Sequence, residues 1–355
     1  VRVSRDTVDD AWDAFVDTVP GGGHLQTTAW ARVKATAGWR ATRIVLTRDD
    51  AVVGGLQLLC RDLPVGGSIG YVPRGPLEDA AGPARLATVL DALDEVAGRE
   101  RLILVKLQPP PGGDEMVPAL TERGFAPSAL EAAPTATVVV DLRRPESAIL
   151  AAMRSSVRSN IAKSRRKGVT VRAGSEADLP RFSELVAATS RRQGFDPYPP
   201  GYYRAIWRSF HPIGKARLLL AEHDGAVLSA LLLVAHGDTV VYKMGGWGGS
   251  RPGLHPNELA HWTAMQWARE RGYAQYDLEG IDLPTARAIA RGDAISAGDV
   301  SGLTHFKLGF GGEVVVLPGA HDRPYRRVAA LASRPLAWGV AHSGRLTRRL
   351  AGRRR

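Results

Sequence analysis

The segment Phe306-Lys307-Leu308-Gly309-Phe310 sets an ammonium among apolar and glycine residues, in a chain with seven lysines against forty arginines. A lysine buried there is costly unless it meets an anion; a structural ion pair is the plainer alternative. Asp277 and Glu279 stand at the end of a predicted strand. They are candidates for a general base, although a strand-end carboxylate commonly caps the next loop. Arg74, in Pro73-Arg74-Gly75-Pro76, sits on a rigid turn after a strand, where it either meets an anion or fixes the turn. His255 and His261 are six apart and share no helix face, and no His-Glu-x-x-His or carboxylate–histidine set occurs. No metal is therefore predicted. The single cysteine, Cys60, excludes an internal disulfide.

The elements that must position these residues alternate between strand and helix, the α/β signature. Arg43–Leu46 and Ala51–Leu59 form a predicted hairpin over Arg48-Asp49-Asp50, followed by a strand at Ser68–Val72, a helix at Ala84–Ala97 and a strand at Leu102–Leu107. The second half repeats this order. Arg217–Ala221 and Ala226–Ala235 form a hairpin over His223-Asp224-Gly225, followed by a strand at Thr239–Met244, a helix at Glu258–Arg271 and a strand at Ala274–Leu278. RIVLTRDDAVVGGLQLL from Arg43 parallels RLLLAEHDGAVLSALLLV from Arg217, and Tyr71 parallels Tyr242, at a steady offset of about 171–175 residues. An offset of domain length indicates duplication, not a solenoid of ~20–50-residue repeats. Ser147–Lys167 is helical in composition, Leu283–Val300 reads as a mobile loop with room for a short helix, and no heptad insertion predicts a coiled-coil arm.

Six pieces carry a resemblance, in order and over roughly His24 to Leu317: HLQTTAWARVKATAGW, YVPRGPL, the Arg154–Lys167 run ending in KGVTV, PGYYRAIW, NELAHWTAMQWARERGYAQYDLEGI and GLTHFKLGFGG. The chain resembles the FemABX family of non-ribosomal peptidyltransferases, in its armless, FemX-like form. The resemblance implies two tandem GNAT-like (acyl-CoA N-acyltransferase-like) α/β domains, at 1–145 and 146–320, before a basic tail at 321–355. It implies an aminoacyltransferase that moves an amino acid from aminoacyl-tRNA to the stem-peptide amine of lipid II or UDP-MurNAc-pentapeptide. The donor ester is already activated, so no cofactor is needed, only positioning and oxyanion stabilisation. Lys307 matches the family's functional lysine. Lys34 and Arg204 match its diphosphate-contacting positions, and a guanidinium suits phosphate oxygens. Tyr242, Phe306, Trp39, Tyr71 and Arg74 complete the expected substrate-binding set. Tyr202 and Arg208 stand where some members carry Thr and Tyr.

Charge is divided unevenly. The net charge is +11, yet Arg323–Arg355 holds ten arginines and no acid, and Arg143–Arg172 holds nine basic residues against Glu146. The rest of the chain is mildly acidic. Concentrated basic charge favours a polyanion. For the tail that means the anionic inner leaflet or tRNA, or simply solubility; for the inner run it suits tRNA recognition by shape and charge. No helix-turn-helix or RNP-type pattern supports a plain nucleic-acid binder. The longest apolar run, Ala226–Ala235, is ten residues, short of the ~20 that span a bilayer, and the first residues lack a signal-peptide core. A cytoplasmic monomer is expected, peripheral to the membrane at most. Two rivals remain: the same chemistry on a peptidyl natural product, and an acyl-CoA N-acyltransferase using Gly245-Gly246-Trp247-Gly248-Gly249 as a pyrophosphate loop. In the latter Arg251–Pro256 intervenes before the helix.

Overall fold

The computed structural model describes residues 1–64, 66–79, 83–294 and 300–326. Val1–Ala133 together with the described residues from Leu317 onward form one unit, and Pro134–Val316 form another. The first unit begins with β1 (Arg2–Ser4), α1 (Asp10–Thr18), α2 (Thr28–Ala35), β2 (Arg40–Arg48), β3 (Ala51–Asp62), β4 (Ser68–Pro73) and β5 (Leu77–Glu78). It continues with α3 (Pro83–Arg99), β6 (Leu102–Gln108), α4 (Val117–Glu122) and β7 (Ala126–Pro127). The second unit comprises β8 (Ala136–Asp141), α5 (Glu146–Ala152), α6 (Ser155–Arg166), β9 (Thr170–Ala173), α7 (Leu179–Gln193), α8 (Pro200–Phe210), β10 (Ala216–His223) and β11 (Ala226–His236). Then follow β12 (Thr239–Trp247), α9 (Pro256–Glu270), β13 (Gln275–Asp277), α10 (Leu283–Arg291), α11 (Gly302–Leu308) and β14 (Glu313–Val316). β15 (His321–Pro324) returns to the first unit.

Each unit is built on one sheet. The first has the order β1-β2-β3-β4-β6-β15-β7, with β5 beside β3, and the second β14-β8-β13-β12-β11-β10-β9. The duplication read from sequence is visible strand by strand. Two antiparallel pairings lead into a parallel one, β2·β3·β4·β6 in the first sheet and β10·β11·β12·β13 in the second. Both leading hairpins turn on two left-handed residues, Asp49-Asp50 and Asp224-Gly225, the conformation a two-residue I′ turn requires. Both carry a register shift just before the turn, at Leu46/Thr47 and at Ala221/Glu222.

Helices cover the apolar faces. Leu86, Val89, Leu90, Leu93, Val96 and Ala97 of α3 recur at helical spacing and are buried with Leu56, Leu58 and Cys60 of β3. β11 is buried along nearly its whole length, because alternate residues serve two layers. Leu231, Leu233 and Ala235 join the core containing α9, and α7 packs on the same strand. The longest described helix, α3, has 17 residues. No described helix is long and apolar enough to cross a membrane.

The boundaries differ from those expected. β8, placed by sequence at the end of the first domain, pairs with β13 and β14 and so opens the second unit. His321–Pro324, expected to begin a tail, is a strand between β6 and β7. Local pattern does not disclose pairings between segments more than a hundred residues apart. The side-chain amide of Gln108 donates to Ala133 O at 3.3 Å and to Pro318 O at 3.2 Å, pinning the two points where the chain leaves and re-enters the first unit. Ser147–Lys167 is two helices, α5 and α6, divided at Met153-Arg154. Leu283–Arg291, in the segment read as a mobile loop with room for a short helix, is α10, its first turn capped by the Asp282 carboxylate on Thr285 N. Residues 295–299, and the tail from Arg327 with its apolar piece Leu336–Val340, lie outside the described residues.

Candidate active site

In the second unit, β13 ends at Asp277 and the chain turns through two successive left-handed residues, Glu279 (φ 42°) and Gly280 (φ 59°). The turn aims both carbonyls at one ammonium. Lys307 Nζ donates to Glu279 O and, at 2.7 Å, to Gly280 O. An ammonium has three N–H bonds, so one remains. α11 carries Lys307 and is anchored by its cap, Ser301 Oγ accepting from Thr304 N at 3.2 Å. Thr304 Oγ1 accepts from Asp282 N at 3.1 Å, which joins α11 to the same turn. After α11, Phe310 is fully buried. A side chain at Gly311 would strike the Ala152 carbonyl, and one at Gly312 that of Val139. The Phe-Gly-Gly sequence is thus what lets α11 end against α5 and β8.

Burial lowers Lys307 to about 8, with Glu279 and then Asp277 acting in the opposite direction. Only 5% of the residue is exposed. The nearest carboxylates are engaged. Asp277 accepts from Thr137 Oγ1 and from Glu279 N, and burial raises its pKa, partly offset by these bonds. Glu279 pairs with Lys243 at 2.6 Å. Asp277 therefore acts as the loop cap that was the plainer sequence reading.

The partners of Lys307 depend on a β-bulge. Leu232 faces Met244 and Leu233 faces Tyr242, leaving Lys243 as the extra residue. Such a bulge re-aims the side chains on either side of it. The Tyr242 ring centroid lies 5.6 Å from Lys307 Nζ, and burial raises the Tyr242 pKa. The His261 ring meets Tyr242 edge-to-face at 4.5 Å between centroids and lies tilted against Phe306 at 5.5 Å. Burial, and then Lys307, lower His261 to about 3, so the ring is neutral beside the ammonium. It shares a 2.9 Å hydrogen bond with the Tyr276 hydroxyl.

Gly245 and Gly246 are residues of β12, not a phosphate-cradling loop before a helix. A side chain at Gly245 would collide with the Tyr242 hydroxyl, and one at Gly246 with the α7 backbone at Leu185-Val186. Gly245→Ala should cost about 1–3 kcal/mol, the range for overpacking, in a urea titration. An unchanged midpoint would show that Tyr242 is not held against this glycine.

In the first unit, Lys34 lies on α2, whose start is capped by Thr27 Oγ1 on Trp30 N at 3.2 Å. The chain then folds back, Trp39 N donating to Lys34 O at 3.2 Å. The Lys34 ammonium stands 6.0 Å from the Trp30 ring centroid and 5.7 Å from that of Trp39. Cation and indoles are thus assembled as a unit. Tyr71 is buried in β4. Arg74, at φ 54°, donates to Pro318 O at 3.4 Å and lies beside Glu131, so it serves the returning chain.

Of the expected residues, the structure gathers Lys307, Tyr242 and Phe306 in the second unit and Lys34 with Trp39 in the first. Arg204, also in the second unit, is exposed on α8 near Glu176, which pairs with Arg208 at 2.6 Å. Sequence reasoning did not place Lys243 or His261 at the site, nor the Glu279 and Gly280 carbonyls. His261 was weighed only as a metal ligand. Its signal would have been a polar residue on the apolar face of an amphipathic helix. Among the described residues no group of histidine, cysteine and carboxylate side chains is arranged to hold a metal.

Residues 7–115 match the model of the FemAB family, and residues 151–286 match that of the acetyltransferase (GNAT) domain. A relative in Staphylococcus saprophyticus, "Lipid II:glycine glycyltransferase", is 25% identical over 77% of this chain and 83% of its own. One of the same name in Staphylococcus aureus is 30% identical over 60% of this chain, and the match spans about half of that relative, 53%. The crystal structure of FemX superposes with a TM-score of 0.82, at 23% identity, covering 93% of this chain and 99% of its own. A tandem GNAT protein from the clavulanic acid pathway shares the fold at a TM-score of 0.53 and 15% identity, over 89% of this chain and 93% of its own. The tandem GNAT-like α/β architecture is common to both.

Proposed function

We propose that the chain is a member of the FemABX family and an aminoacyltransferase that moves an amino acid from aminoacyl-tRNA to the stem-peptide amine of a peptidoglycan precursor. The amine nitrogen attacks the ester carbonyl carbon, and the carbonyl oxygen becomes an oxyanion. Collapse of this intermediate breaks the bond to the ribose 3′ oxygen. The amide forms, and the proton lost by the amine ends on the departing hydroxyl. No cofactor enters the balance.

The observation that carries this reading is the remaining N–H of a buried ammonium whose other two are fixed by Glu279 and Gly280 carbonyls. A donor held in place before the reaction stabilises the developing oxyanion, or the leaving 3′ oxygen, without reorganising at the moment of bond formation. Tyr242, His261 and Phe306 exclude water around it, and a neutral His261 adds no competing charge. Lys34, between its two indoles in the first unit, is a cation suited to the diphosphate of the acceptor. The named activity of the staphylococcal relatives makes glycyl-tRNA with lipid II the first pair to test. A donor of this kind places the reaction in the cytoplasm.

Mass spectrometry of one mixed reaction tests the reading. Purified protein is given glycyl-, alanyl- and seryl-tRNA with lipid II and UDP-MurNAc-pentapeptide, and a parallel tube receives acetyl-CoA. The expected product is an acceptor heavier by one amino-acid residue, its formation abolished by ribonuclease. An acetylated acceptor formed only from acetyl-CoA would overturn the reading, and so would no mass gain on either acceptor.

A further inference from the structure

α6 carries Arg158, Lys163, Arg165 and Arg166 and is followed by Lys167, and from Ser147 to Ala173 the chain has no acidic residue. Val157, Ile161 and Ser164 are the buried side of this helix, which packs on α9. At 3.6 residues per turn, the outer line is then Ser155, Ser159, Ala162 and Arg166, flanked by Arg158 and Arg165 on one side and Lys163 on the other. None of these cations is spent on a carboxylate among the described residues. Arg158 donates to the Met153 carbonyl, and Arg165 to Gln266 Oε1 at 3.2 Å.

The stripe continues beyond both ends of the helix. At its start, Arg154 N donates to Gly309 O at 2.9 Å, and Arg154 Nη1 lies 3.2 Å from His305 Nδ1. These contacts fall on either side of Lys307. At its far end, Lys167 Nζ donates to Gly253 O at 3.2 Å. His223 Nε2 lies 2.8 Å from Lys167 O, and Arg251 lies 2.8 Å from His223 Nδ1. From Arg154 to Lys167 the helix extends about 20 Å at 1.5 Å per residue. A linear array of cations thus begins beside the candidate catalytic ammonium and leads away from it.

We propose that this face of α6 is the docking surface for the phosphodiester backbone of the donor tRNA, a proposal that rests on the aminoacyl-tRNA reading above. Arginine, lysine and the hydroxyls of Ser155 and Ser159 are backbone-phosphate donors, which fix the position of a nucleic acid without reading its bases. A lipid surface fits less well. A helix lying in a bilayer interface needs an outward apolar face, and the apolar side of α6 is turned inward, with none of the large exposed hydrophobic residues on this helix. Docking along the stripe would bring the 3′ end of the RNA toward Lys307.

The test is binding of uncharged tRNA to the full chain by filter retention across a range of salt, with the Arg158→Ala/Arg165→Ala/Arg166→Ala variant beside wild type. A control variant, Arg48→Ala/Arg99→Ala/Arg291→Ala, removes the same charge from other elements. The expected result is roughly a tenfold or larger loss of affinity at moderate salt for the α6 variant, with a log–log salt slope shallower by about 2–3, one phosphate contact per arginine. The control should change little, and circular dichroism should show both variants folded. Equal effects of the two variants would overturn the proposal. So would unchanged tRNA binding by the α6 variant, alone or with loss of binding to phosphatidylglycerol vesicles. Transfer from a short aminoacylated 3′-end oligonucleotide separates the two readings. The α6 variant should keep that activity while its KM for full-length aminoacyl-tRNA rises. Failure of wild type to use the short or the full-length donor would refute the functional reading, whereas the uncharged-tRNA arms alone decide the docking face.

Discussion

Lys307→Met should lower kcat by about 10²–10³-fold, the cost of removing one oxyanion donor, while the KM for the acceptor stays close to wild type. Equal losses in kcat and in acceptor affinity would move Lys307 to a binding role. The pH dependence gives a second readout. With Lys307 near 8, the ammonium is present below that pH and is lost above it. The wild-type single-turnover rate, corrected for ionisation of the acceptor amine, should fall as pH rises through about 8, and the variant should lack that limb. Unfolding does not account for the loss. The lysine titrates lower in the folded chain than at its ordinary value of 10.5. The unfolded state therefore binds more protons between these values, and wild-type stability should rise with pH across this window. Below it, the burial cost is fully present. Methionine relieves that cost but leaves the Glu279 and Gly280 carbonyls without their donor, at about 1–3 kcal/mol for each buried group. The two effects oppose each other, so the melting temperature should shift little.

Asp322→Ala should destabilise the first unit by about 3–5 kcal/mol, the cost of breaking a buried ion pair from one side. Lys106, in the middle of β6, is fully buried and meets Asp322 at 2.7 Å, with the Ser128 hydroxyl and the Leu130 carbonyl as its other partners. Burial pushes the Lys106 pKa down, and Asp322 opposes this. Without the carboxylate the ammonium is left uncompensated at the junction of β6 and β15. Urea unfolding followed by tryptophan fluorescence should show an earlier transition. The Lys106→Met/Asp322→Ala double variant should recover most of the loss, because it removes both charges. A single variant that unfolds like wild type would show that β15 contributes little to the sheet.

What was legible in the sequence was local. Asp49-Asp50 and Asp224-Gly225 announce tight turns between apolar runs, so both hairpins and their common offset can be read directly. α3 and α9 follow from the spacing of apolar residues between strands. β15 is four residues with a proline at its end and no alternation to mark it. Its reason for being a strand is the open position between β6 and β7, which no nearby residue encodes. β8 is not among the strands read from sequence, and its pairing with β14 joins segments more than a hundred residues apart. Lys307 stood out because lysine is scarce here and its surroundings are apolar. The groups that hold it are main-chain carbonyls, and these leave no mark in a sequence except Gly280. Gly245-Gly246 left phosphate binding open as a rival reading, because glycine that accommodates a tyrosine and glycine that accommodates a phosphate look alike as letters.

The return of β15 to the first sheet also orders events during synthesis. The second unit is contiguous, Pro134–Val316, and all its strands have been made before β15 is. The first unit, although begun at the N-terminus, still lacks the strand that separates β7 from β6 until the chain has been made past Pro324. Domains usually complete themselves in the order they leave the ribosome; here the order is inverted, and the half that starts first finishes last. Until then Lys106 has no Asp322, and the edge of β6 that β15 will cover stays open to any other strand. A premature stop between residues 317 and 321 therefore releases a chain with every strand of the second unit and an uncovered sheet edge in the first.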